Sequence, residues 1–169
     1  PFNREKFIRG FNYMKDSGLV VELQLILGLP GETLETFERS LDFALQLDPM
    51  VLSVFKLQVL PGTAVRRDAE ALGLEYEKEP PYEFIQSPSM PFKDFIMCQK
   101  VVNSVSLFRK DKAVEAYCRK NGLRMSGFIH KWLDHMRSDG ILLNGEDNSA
   151  LKQEAKLFIK ALGRKKVCV

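Results

Sequence analysis

Cysteine is scarce in this chain. Cys98, Cys118 and Cys168 are the only three in 169 residues, at spacings of 20 and 50. Those spacings match no zinc or iron–sulfur ligand pattern. An odd, sparse set does not make a disulfide scaffold either, so reduced thiols in a cytoplasmic protein are expected. No run approaches the roughly 18 consecutive apolar residues of a membrane helix. The opening residues, Pro1-Phe2-Asn3-Arg4-Glu5, have neither the basic region nor the apolar run of a secretion signal. They also lack an initiator Met, so the chain is expected to be a piece of a longer one. Internal repeats and low-complexity tracts are absent. Clustered carboxylates are absent too, which leaves a nuclease or phosphatase reading without a basis. Histidine occurs only twice, at His130 and His135. Side chains that meet on one helix face are three or four apart, so this five-residue spacing does not suggest a metal pair.

What is present suits a soluble globular protein. Hydrophobic residues make up 45% and charged residues 28%, and twelve Phe with many aliphatics can supply a core. The length suits one domain, or one domain with a small appendage. The net charge of +3 hides an asymmetry. Residues 1–90 hold nine Lys and Arg against 14 Asp and Glu, or −5; residues 91–169 hold 16 against eight, or +8. The sign changes near a proline-rich stretch.

The acidic half alternates helix and strand signals. Phe7, Phe11 and Met14 recur at helical spacing, with Asn3 as N-cap and Gly18 as stop. The nearly continuous aliphatic run Leu19–Leu27 reads as a strand buried on both faces. A helix over about Thr33–Leu47 follows, with Leu34, Phe37, Leu41, Ala44 and Leu45 on one face. Val51–Leu60 reads as a second long strand. Thr63 caps a short helix that Gly73 stops. Helix, strand, helix, strand, helix implies a parallel pair with a right-handed crossover. Two parallel strands need neighbours, so this half reads as the end of a larger α/β sheet.

Residues 75–91 read as a connector. Pro80-Pro81, Pro88 and Pro91 oppose regular structure there, while Tyr82, Phe84 and Ile85 predict packing on a surface. The basic half reads as helices only. Phe92, Phe95, Ile96, Val102 and Val105 predict one over about 92–109. A short helix stops at Asn121-Gly122. The stripe Met125, Phe128, Ile129, Trp132, Leu133 and Met136 predicts a third, with Trp132 in the helical core. Leu151, Ala155, Phe158 and Leu162 predict a fourth, closed by Gly163. The expected organisation is an α/β segment at 1–74, a connector at 75–91 and a helical domain at 92–169.

Chemistry is expected at the strand ends. In α/β sheets and barrels, ligands bind at the carboxyl ends of the strands. Gly28-Leu29-Pro30-Gly31-Glu32-Thr33 joins the first strand to a helix, whose first N–H groups favour an anionic or polar group. Its glycines let backbone approach a ligand. A tight turn with no ligand explains the same residues equally well. Leu60-Pro61-Gly62-Thr63 sits at the corresponding end of the next strand, which predicts a shared pocket. Gln24 and Gln58 are uncharged hydrogen-bonding candidates for it. A buried Gln24 satisfied by backbone is the alternative.

These segments carry a resemblance. Gln24–Thr33, then Leu41-Asp42-Phe43, then Leu57-Gln58-Val59-Leu60-Pro61-Gly62-Thr63 resembles the fifth and sixth strands of the radical S-adenosylmethionine barrel. Gly18-Leu19, and Gly73-Leu74-Glu75-Tyr76 followed by Pro80-Pro81-Tyr82, are similar to the subgroup with an N-terminal cobalamin-binding domain. The resemblance covers roughly residues 1–85, and the helical remainder is similar to a C-terminal extension found in that subgroup. It implies an α/β fold: the C-terminal end of a partial (β/α) barrel with two parallel strands, followed by an all-helical extension.

The resemblance also implies roles. Ile26 matches the apolar residue against the adenine, Gly28 and Gly31 match the turn, and Glu32 matches the residue that fixes the loop. Val59 and Leu60 match positions bordering the adenine. Gln24 stands where related members often have Asp, which leaves a hydrogen bond to the nucleoside. The family's Cys-x3-Cys-x2-Cys loop has no counterpart here, nor has the glycine-rich motif for the methionine amino group. The implied cofactors of the whole protein are therefore S-adenosylmethionine, a 4Fe–4S cluster and, for the subgroup, cobalamin, with none expected bound to this segment. The implied activity is that of an Fe–S oxidoreductase or methyltransferase. The implied partner is the missing N-terminal part of the same chain. A homodimer through the exposed strand edge is also expected. No membrane association is expected. A second reading makes the basic helices a module that docks RNA or an acidic protein. Lys and Arg spread among Asp and Glu over several helices speak for a solvated surface instead.

Overall fold

Local capping chemistry sets the element boundaries in the computed structural model, which describes residues 2–138 and 148–164. Helix α1 runs Arg4–Asp16, and the Asn3 side chain accepts from the Lys6 N–H at 2.9 Å. Gly18, at φ 78°, turns the chain out of it. Strand β1 is Glu22–Leu27 and helix α2 is Leu34–Gln46. Thr33 caps α2 in a reciprocal box: the Thr36 N–H donates to Thr33 Oγ1, and the Thr33 N–H donates to Thr36 Oγ1. Strand β2 is Val51–Lys56, followed by the short helix α3 at Ala64–Arg67 behind its cap Thr63. Strands β3 (Glu75–Tyr76) and β4 (Phe84–Gln86) come next. Helices α4 (Phe92–Phe108), α5 (Lys112–Asn121), α6 (Met125–Ser138) and α7 (Asn148–Arg164) complete the described chain.

The fold is mixed α/β, with seven helices and a two-stranded parallel sheet among the described residues. The parallel pair has Glu22 opposite Val51 and continues in register to Leu27 opposite Lys56, with α2 as the crossover. One face of the sheet is covered: α2 packs on β1, and Phe37, Leu41 and Ala44 are buried. Helix α1 joins it through Phe11, which is buried, and through Phe7, whose ring centroid lies 6.1 Å from that of Phe43. The other face is open. Ile26 is 45% and Phe55 51% exposed, and Glu22 and Gln24 are exposed beside them. The strand expected at Leu19–Leu27 is thus shorter and is not buried on both faces, because helices cover one side only.

The second strand is also shorter than expected. It ends at Lys56, and the following residues change partner. The Phe84 N–H donates to the Leu57 carbonyl at 2.8 Å, and the Val59 N–H donates to the Tyr82 carbonyl at 2.9 Å. Gln58 forms an antiparallel bridge with Glu83. The connector is therefore not irregular throughout. Its prolines fall outside β3 and β4, with Pro80-Pro81 between them, so the intervening N–H groups stay free to pair.

The chain divides into two compact units, Pro1–Gln99 and Lys100–Val169. In the first, Phe84 meets Phe95 edge to face at 5.2 Å, which anchors the connector. The second is built on aromatic packing. Phe108 lies 5.2 Å from Phe128 and 4.9 Å from Trp132, and Phe128 lies 6.0 Å from Phe158. Phe128, Ile129, Trp132, Leu133 and Met136 are all buried, as their stripe predicts, and Trp132 sits in the helical core. Gly122 ends α5 in the left-handed conformation. Gly163 does not close α7, which continues to Arg164.

Candidate functional site

The carboxyl ends of β1 and β2 lie side by side, because the strands are parallel and in register. Beside them an open cleft of about 550 Å³ is lined by Gln24, Ile26 and Phe55 from the strands, by Lys56, Leu57 and Gln58 from the end of β2, and by Glu83 from the connector. Its floor is apolar, since the register sets Ile26 opposite Phe55. Two side-chain amides flank that floor, and each offers both a donor and an acceptor. Lys56 Nζ and Glu83 Oε2 pair at 2.6 Å, which balances the charge at the site.

The structure brings three of the expected residues, Gln24, Ile26 and Gln58, to this one cleft. Gln24 is exposed on the open face, so it is not a core amide satisfied by backbone. The others lie elsewhere. Val59 is fully buried, and Leu60 is 43% exposed, outside the cleft lining. Gly28, Gly31 and Glu32 form the turn after β1. The Gly28 N–H donates to Glu32 Oε2 at 2.8 Å, so Glu32 ties the loop together. Burial pushes the Glu32 carboxyl above the usual carboxylate range, against the opposing pull of backbone bonds from Gly28 and Leu29.

The turn approaches a protein side chain. Gly28 has φ 99°, and a Cβ there would stand 2.6 Å from Phe84 Cδ1. The missing side chain makes room for that ring. Gly31 has φ 78° and open space around it, so backbone conformation explains it. The first N–H groups of α2 are partly spent as well, since Thr33 and Thr36 use theirs on each other.

Sequence reasoning missed Phe55, Lys56, Leu57 and Glu83 as lining residues. Phe55 becomes visible once the register with Ile26 is known. Glu83 carries no local signal, because a strand pairing across the connector delivers it.

Metal chemistry finds no ligand set among the described residues, which contain no group of three His, Cys, Asp or Glu able to hold an ion. Cys98 and Cys118 are both buried, and neither is in a disulfide. Cys98 is pushed up to about 12 by burial and by Glu38, Glu32 and Asp94, so it is a poor thiolate ligand. Cys168 lies outside the described residues. The described residues therefore do not fit a 4Fe–4S cluster. His135 stacks on Phe158 at 4.8 Å.

No helix among the described residues is long and apolar enough to cross a membrane. Comparison of the sequence with known proteins finds no matching family model and no significant match to a curated protein. The family resemblance therefore rests on the sequence motifs alone.

Proposed function

We propose that residues 1–74 are the C-terminal end of a partial (β/α) barrel and contribute part of the adenosine-binding wall of a radical S-adenosylmethionine enzyme. The reading includes an Fe–S oxidoreductase or methyltransferase of the cobalamin-binding-domain subgroup, working in the cytoplasm. One observation carries it: the sheet is covered by helices on one face and leaves Gln24, Ile26 and Phe55 open on the other, at the carboxyl ends of parallel strands. A barrel strand pair likewise carries its helices on one side only, and barrel enzymes bind their ligands at the carboxyl ends of the strands, which supports the reading.

In that family S-adenosylmethionine and its cluster supply the radical chemistry, and cobalamin carries methyl groups. This chain's own residues bind and orient. Ile26 and Phe55 offer an apolar floor to a flat base. Gln24 and Gln58 offer amide donors and acceptors to its edge or to the ribose. The Lys56–Glu83 pair leaves the cleft without net charge, which suits a nucleoside better than a phosphorylated nucleotide.

Adenosine itself is the test probe. Titrated at millimolar concentration into the 169-residue chain, it is expected to shift the Ile26 methyl signals and the Gln24 and Gln58 side-chain amide signals. Ile26→Asp, made at a position that is 45% exposed, should keep the fold and abolish those shifts. Shifts confined to other residues, or unchanged binding by the variant, would sink the site.

A further inference from the structure

We infer that Arg66 is the positioning residue for the Leu57–Leu60 segment, which carries Gln58 to the cleft; the inference rests on the reading of that cleft as a nucleoside site. The segment needs a holder. Beyond β2 only the Leu57 N–H still bonds to the first strand, at the Leu27 carbonyl, 2.8 Å away. The connector takes two further groups, the Leu57 carbonyl through the Phe84 N–H and the Val59 N–H through the Tyr82 carbonyl. The Val59 carbonyl goes to Arg66, whose Nη1 donates to it at 3.1 Å.

Arg66 is itself held by aromatic rings. Its guanidinium carbon lies 4.4 Å from the Tyr76 ring centroid and 5.2 Å from that of Tyr82. A planar guanidinium suits this place because it can stack on a ring and donate in its plane at once. One side chain thus joins the strand-end segment, β3 and the turn before β4. The backbone at Tyr82 adds an independent sign. Tyr82 sits at φ 58°, a left-handed conformation that a β-carbon disfavours and glycine adopts freely. A tyrosine at that position gains its ring contact with Arg66 in return for the strain. Gln58 sits between the two clamped residues and opposite Glu83, so holding its neighbours holds its backbone at the cleft.

Amide hydrogen exchange on the 169-residue chain tests the hold, and adenosine titration tests its purpose. In Arg66→Gln the Val59 amide is expected to exchange at least tenfold faster, while the Phe37 amide of α2, which donates to the carbonyl of the cap Thr33, keeps its wild-type rate. Arg66→Lys should restore only part of the protection. Tyr82→Phe should retain all of it, and Tyr82→Gly should lose it although its backbone strain is relieved. Unchanged Val59 exchange in Arg66→Gln, equal acceleration at Phe37, or full protection in Tyr82→Gly would each overturn the inference. The adenosine-induced shift of the Gln58 side-chain amide should fall at least threefold in Arg66→Gln; an unaltered shift would overturn the positioning role. Selective loss of Val59 protection with no adenosine shift in the wild-type chain would instead overturn the nucleoside reading and leave the hold of Arg66 standing.

Discussion

Glu32 shows how one side chain serves a turn at an energetic cost. Its carboxylate accepts the Gly28 N–H, yet the site is partly desolvated, and desolvation is the larger influence on its titration. The folded-state value is raised, so the native state favours the protonated acid. Stability from this group is then fully present at acidic pH and is lost as pH rises through the raised value. Glu32→Gln keeps an acceptor oxygen and removes the charge. Its melting temperature relative to wild type should therefore be higher at pH 8 than at pH 5. A relative melting temperature that does not change with pH, or that falls as pH rises, would show that the hydrogen bonds outweigh burial.

At the scale of elements, the first strand-end turn and the connector are built around each other. Phe84 on β4 fills the place where a side chain at Gly28 would stand, and its ring then meets Phe95 on α4. Gly28→Ala combines a clash at 2.6 Å with a positive φ and should cost about 2–3 kcal/mol. Gly31→Ala meets open space and bears only the conformational penalty, about 1 kcal/mol. Denaturant midpoints measured at equal m-values compare the two. If the two variants lose equal stability, the Phe84 ring yields and the interlock is weak.

For the whole molecule, the open question is the free edge of the sheet. The connector takes up only the chain beyond β2, and no strand among the described residues pairs with the outer edge of β2 or with that of β1. That edge stands beside exposed Ile26, Val20 and Leu19. Unpaired N–H and C=O groups next to apolar side chains are a template for another strand, and a two-fold pair is the simplest closed solution. The 169-residue chain is expected to dimerise at high concentration. Light scattering that returns a mass near 19.3 kDa across the concentration range would exclude this.

Much of the local structure was legible in the residues themselves. The caps Asn3 and Thr63, the stops Gly18 and Gly122, the parallel pair with its helical crossover and the buried stripe of α6 all follow from signals spanning a few residues, whereas the short helix expected to run to Gly73 already ends at Arg67. Such signals are legible because a cap bond or a positive φ is made within one turn of chain. Three of the seven residues that line the cleft, Gln24, Ile26 and Gln58, were legible too. Tertiary structure decided the rest. An aliphatic run such as Leu23–Leu27 reads the same whether one face is covered or two, since coverage depends on which helices pack against it. The pairing of Tyr82–Phe84 with Leu57–Val59, the Phe84 ring over Gly28 and the Tyr82 ring beside Arg66 join residues far apart in sequence. No local propensity encodes those contacts; they exist because burying Phe84 and satisfying the backbone beyond β2 are achieved by the same placement of the connector.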